Sequence, residues 1–331
     1  VSIQDEEGNS PDLPTHRNGT QVLRTALVLY LIPFLLTPIL LFVMAFIVIP
    51  SRWLSLRVGN TYWTTLGYGA TLRGKNCQVV VYGDSTALVG VNPKIIKAGT
   101  GLTVCNIAEF EGMTILNGME IVDRYLAQNN RPRYLVFLYA PENFDPESQR
   151  GSVGFTEAIT WKLGQPGELV SALKLLRHPL ELIPWAEQGA RFTLLHLRSK
   201  PASREVEDFR ASRDGQLPVP AGDAPLKACA PARPDSIPNV PWIEGLRSKY
   251  GVKGTTVLID STPMAPCDPQ LDYFRKHLSG LVDNEIQSLP LSDYASEGRL
   301  HTNSAGSVAL SAMVAEQIAS RMEQDDARGP R

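Results

Sequence analysis

The sequence lacks several features that would narrow its chemistry at once. No CxxC pair and no histidine–cysteine cluster has the spacing of a zinc site, so no metal and no other cofactor is expected. Neither sign of charge dominates. Against 32 Lys and Arg stand 34 Asp and Glu, a formal net charge of −2, which gives nucleic acid no electrostatic foothold. No internal repeat is visible, which excludes a solenoid or propeller. Charge is missing altogether from one stretch, residues 26–49.

That stretch, "ALVLYLIPFLLTPILLFVMAFIVI", is long enough at about 1.5 Å per residue to cross a hydrocarbon layer of roughly 30 Å. Pro33 and Pro38 would kink it, as membrane helices tolerate. Arg24 and Arg52 bracket it, and Trp53, Tyr62 and Trp63 would suit the interface. No small-x-small cleavage site follows, so the run reads as an uncleaved anchor rather than a signal peptide. Arg17 and Arg24 before it balance Arg52 and Arg57 after it, so charge does not set its orientation.

The reading along the chain is then a polar, disordered tail over 1–22, a transmembrane anchor over 23–50 and a connector over 51–76. A single α/β domain follows over 77–324, and a frayed tail over 325–331. Short apolar runs at 77–83, 102–108, 133–141 and 254–263 predict strands buried on both faces. Helical spacing occurs at 112–128 and again at 304–322. Strands alternating with helices predict a parallel sheet covered on both sides. An insertion at about 150–250 separates the third and fourth strands. Its first part, 155–198, reads as helices broken by Gly and Pro, and 199–240 reads as loop. Cys229 and Cys267 lie in the Pro-rich loops "KACAPARP" and "MAPCDPQ"; they are a candidate disulfide if the domain lies outside the cytoplasm, the alternative being four free thiols.

In such a sheet, functional groups collect at the carboxyl ends of the strands. Strand one ends in "GDST", which puts Ser85 on the turn into a helix. Alone, this is as easily read as Asp84 and Ser85 capping that helix. After strand two comes Gly112, either a loop glycine or a backbone N–H open to a substrate oxyanion. After strand three comes Asn143 in "PEN", either an Asx turn or an uncharged amide donor. His301 precedes the last helix in "RLHTNSAGS", either a surface histidine or a base kept neutral by the helix amino terminus. Together these residues offer a nucleophile, three oxyanion donors (the Ser85 and Gly112 N–H groups and the Asn143 amide) and a base.

The set "GDST", Gly112, "PEN" and "LHTNSAG" resembles the SGNH, or GDSL-type, hydrolases. The apolar segment and the "HTNSAG" ending resemble their membrane-anchored envelope branch, akin to alginate O-acetyltransferases and the D-alanyl-transfer protein of teichoic-acid modification. The resemblance covers about 77–145 and 254–320. It implies a flavodoxin-like three-layer fold, attack by Ser85 on an ester carbonyl, and His301 as the base. One departure stands out. Where such proteins place an aspartate three residues before the histidine, this chain has Gly298. Glu297 and Asp293 are the candidates to orient the imidazole.

The resemblance therefore implies a single-pass membrane protein with its domain on the periplasmic side. It would act as a serine esterase or O-acyltransferase on an envelope glycan, with a polytopic membrane acyl-transfer protein as a partner. Two alternatives remain. One is a non-catalytic scaffold subunit, favoured by the missing aspartate. The other is a lipid esterase with "LVSALKLLRHPLELIPW" as a lid.

Overall fold

The computed structural model describes residues 19–43, 68–109, 118–144, 210–217, 224–229, 231–232, 236–252, 254–296 and 300–327. Four apolar runs form strands: β1 (Val79–Gly83), β2 (Val104–Asn106), β3 (Tyr134–Tyr139) and β4 (Thr256–Ser261). All pair in parallel, in the order β2-β1-β3-β4. Parallel neighbours require long crossovers. The described helices are α1 (Gly19–Val43), α2 (Tyr68–Thr71), α3 (Ser85–Gly90), α4 (Pro93–Thr100), α5 (Gly118–Gln128), α6 (Val240–Tyr250), α7 (Leu271–Leu278) and α8 (Ser304–Ala327).

The strands are buried on both faces, so they read as unbroken apolar runs, yet alternate residues serve different cores. Val80, Tyr82, Leu135, Phe137 and Ile259 pack against α5, α6 and α7. Val79, Val81, Val136, Leu138 and Leu258 pack against α3, α4 and α8. Three layers result, and α6, which falls inside the span read as an insertion, belongs to the first core through Ile243, Leu246 and Tyr250. Helix α8 runs to Ala327, past the expected end. Arg133 and Tyr134 hold its last turns through Asp326 at 3.4 Å and Asp325 at 3.1 Å. The expected insertion helices over 155–198, with their lid, lie outside the described residues.

The expected membrane anchor is corrected. Among the described residues no helix is long and apolar enough to cross a membrane. The described helix α1, Gly19–Val43, carries residues 26–43 of the uncharged run. Residues 44–49 lie outside the described residues. The transmembrane part of the expected fold falls with it, as do the single-pass topology, the periplasmic placement and the membrane as a partner.

Chain order fixes where a site can form. From β1 the chain crosses to β2 on one side, and β3 then pairs on the other side of β1. A crevice opens at such a reversal, above the carboxyl ends of β1 and β3. Gly83 ends β1 because the strands close tightly there. A Cβ at this position would lie 1.7 Å from the Leu138 carbonyl oxygen of β3.

Candidate active site

Ser85 opens α3 directly above β1. Its Oγ lies 2.9 Å from His301 Nε2, although the two residues are 216 positions apart. Both are half-buried. A hydroxyl bonded to an imidazole nitrogen is the arrangement through which a base can take the proton of a serine as it attacks an electrophile.

Asp84 caps α3, accepting from Thr86 N at 2.8 Å and from the Thr86 hydroxyl. The capping reading of "GDS" therefore holds for Asp84, and the same side chain does more. Its other carboxylate oxygen accepts from Ala140 N and from Asn143 Nδ2, each at 2.7 Å. Asp84 is fully buried, and four donors on one carboxylate offset its desolvation. It thus ties the turn after β1 to the turn after β3 and fixes the amide of Asn143. That residue sits in a 3-10 turn, Pro141–Phe144, with its own N–H on Ala140 O at 2.9 Å. Nothing in "GDS" or "PEN" beyond their place after buried strands pointed to this bond.

Asn106, at the end of β2, was also missed. It is fully buried, donates to the carbonyls of Ala87 and Val91 at 2.9 and 3.1 Å, and accepts from Ala108 N at 3.0 Å. It thereby anchors the far end of α3. Two residues beyond Ile107, Glu109 meets Arg210 at 3.6 Å, with both side chains wholly buried. Arg210 also donates to the carbonyls of Ala108 and Gly215 at 2.6 and 2.9 Å, and its guanidinium lies 4.3 Å from the Tyr68 ring centre. Burial lowers the Arg210 pKa, while Glu109 opposes that shift. Below the turn, burial pushes Tyr82 and Tyr139 well above the usual phenol value, so both stay protonated and neither supplies a phenolate base.

His301 stands on the short connection into α8. Ala295 N donates to its carbonyl at 2.8 Å, and Tyr294 pairs antiparallel with Thr302. The cap of α8 is Asn303, whose Oδ1 accepts from Ala305 N at 3.0 Å and Gly306 N at 3.2 Å. Asp293 lies in the 3-10 turn Leu291–Asp293. Its carbonyl accepts from Asn303 N at 2.9 Å, and its carboxylate accepts from the Ser292 hydroxyl at 3.3 Å. Gly112 and Glu297 lie outside the described residues. Cys229 and Cys267 form a disulfide, and so do Cys77 and Cys105. A concave region of about 380 Å³ between Arg275 and Ile286 lies apart from Ser85 and His301.

The fold and site together define a parallel α/β protein with a serine–histidine contact at the point where strand order reverses. Compared with family models, curated proteins and solved structures, the chain matches none. Among the described residues no catalytic triad is evident, and no group of three or more His, Cys, Asp or Glu side chains could hold a metal ion. Three readings are withdrawn: the anchored envelope-glycan esterase or O-acyltransferase, the lipid esterase, and the scaffold of a membrane complex. Each was set at a membrane, and among the described residues no helix is long and apolar enough to cross one. The polytopic membrane partner, the glycan and the lipid substrate fall with them.

Proposed function

We propose that Ser85 is a reactive nucleophile activated by His301, and that the chain forms a covalent adduct on Ser85 Oγ. One observation carries the reading, the 2.9 Å contact between Ser85 Oγ and His301 Nε2. Strand order and the motif set that resembles SGNH hydrolases support it. For Ser85 to donate, Nε2 must be the bare nitrogen of a neutral imidazole. His301 then takes the proton as Oγ attacks an electrophilic carbon or phosphorus. Charge builds on the attacked centre's oxygen beside the Ser85 N–H at the start of α3 and the Asn143 amide. Asp84 contributes by keeping that amide in place. Gly112 is the third donor in the reading, and Asp293 or Glu297 is the residue that would orient His301.

The test is labelling of the full chain with a fluorophosphonate, which needs an activated serine and no knowledge of the substrate. Attack by Oγ forms the O–P bond, fluoride leaves, and His301 takes the hydroxyl proton. The reading expects one adduct per chain and none in Ser85→Ala. An unlabelled wild type, or equal labelling of Ser85→Ala, would end it.

A further inference from the structure

We propose that the Cys229–Cys267 disulfide positions His301, so that a dithiol that opens it slows the reaction of Ser85. The inference rests on the reading of Ser85 and His301 just given. The chain that leads to His301 is gripped from two sides. On one side, Met264 N donates to Gln287 O at 3.1 Å and Leu289 N to Met264 O at 3.2 Å, around a parallel bridge between Met264 and Ser288. On the other, Leu226 N donates to Tyr294 O at 2.9 Å and Ser296 N to Ala224 O at 2.8 Å, around the antiparallel pair Pro225 and Ala295. The inner segment then turns back, and Ala295 N meets His301 O at 2.8 Å.

The two outer segments are joined to each other by Cys229 and Cys267, 38 residues apart in sequence. The disulfide therefore closes a collar around the segment that presents His301. A small apolar cluster fills it: Ala265, Leu289 and Tyr294 are buried, with Leu226, Cys229 and Leu291 packed against them.

Magnitudes indicate what happens when the collar opens. Segment 224–229 would keep two backbone hydrogen bonds to the inner strand, each of small net worth. Ordering the backbone of six residues costs more than two such bonds return. Without the covalent tie the segment is expected to leave, and the His301 hairpin loses one edge. Access favours opening at this place. Cys267 is exposed and Cys229 half-buried, whereas Cys77 and Cys105 are 8% and 6% exposed. A thiolate must reach a sulfur to exchange with it. With dithiothreitol, one thiolate attacks the protein disulfide and the second resolves the mixed disulfide. Two electrons pass to the cysteine pair, which gains two protons, and the reductant leaves as a cyclic disulfide.

The experiment treats the full chain with dithiothreitol until mass spectrometry finds Cys229 and Cys267 reduced and Cys77–Cys105 intact. Fluorophosphonate labelling of Ser85 is then timed across pH, with circular dichroism on the same sample. The expected result is a folded protein whose labelling is slower by on the order of tenfold or more. Its dependence on pH should change as well. Reoxidation restores the rate, and Cys229→Ser/Cys267→Ser stays slow with or without reductant. A bond that only stabilises the fold would lower the melting temperature and leave rate and pH profile alone, and that result overturns the proposal. Global unfolding on opening also overturns it, because the effect would not be local to His301. An oxidised wild type that never labels would refute the reading of the site instead.

Discussion

The two halves of the site are held in opposite ways. The Ser85 half is set into the sheet. Asp84, Asn106 and Glu109 are fully buried at the ends of β1 and β2, and their bonds run between strands, turns and the Arg210 segment. The His301 half stands on a hairpin at the edge of the domain, half-buried and braced by neighbouring backbone and a solvent-accessible disulfide. Buried polar networks fix geometry because each unmet bond is costly in a low dielectric. Edge segments with few contacts open more readily. Ser85 is thus the fixed partner and His301 the adjustable one.

Six substitutions test this difference between the two halves. The largest effect is expected at the contact itself. Ser85→Ala abolishes fluorophosphonate labelling, and His301→Ala slows it on the order of a thousandfold, within the span attributed to general-base assistance. Next comes the buried pair. Arg210→Met removes the cation from the buried ion pair with Glu109 and should destabilise the protein by about 3–5 kcal/mol in urea unfolding. A loss under 1 kcal/mol would mean that the Ser85 half is not rigidly founded.

Asn143→Ala removes the amide that Asp84 holds and should slow labelling by about 3 kcal/mol of transition-state stabilisation, with the melting temperature changed far less than in Arg210→Met. Asp84→Asn should mimic it, since an amide cannot accept from all four donors. An unchanged labelling rate in Asn143→Ala takes that side chain out of the site.

The smallest effect concerns how α8 is tied to the sheet. Asp260 of β4 accepts from Gln317 of α8 and from Asn284 N at 2.9 Å. Burial raises its carboxyl pKa to about 7 from the ordinary 3.8. The folded protein therefore keeps a proton that the unfolded chain loses first. Stability should fall as pH rises between about 4 and 7, with the full penalty present above 7. Asp260→Asn removes the penalty and should gain on the order of 2 kcal/mol at pH 8 and nothing near pH 4. A melting temperature equally raised at both values would contradict this.

Much of this architecture was legible because buried parallel strands leave unbroken apolar runs. The runs at 77–83 and 133–141 contain β1 and β3 in full. Ser85 and His301 were legible together because each flanks a regular element whose position in the sheet follows from chain order. Asp84 holding Asn143 was not, since that bond joins turns 59 residues apart and depends on how far each turn reaches. The Cys77–Cys105 link was hidden for a similar reason. It needs the register, which sets Val80 opposite Cys105. The apolar run at 26–49 misled because hydropathy scores a run of residues without its folded context; among the described residues no helix is long and apolar enough to cross a membrane.

The most direct test is to map the fluorophosphonate adduct by mass spectrometry in wild type and His301→Ala, at one pH and one reagent concentration. A single adduct on Ser85 is expected, its formation slowed on the order of a thousandfold when the imidazole is removed. An adduct on another residue, or one that forms on Ser85 just as fast without His301, would contradict it.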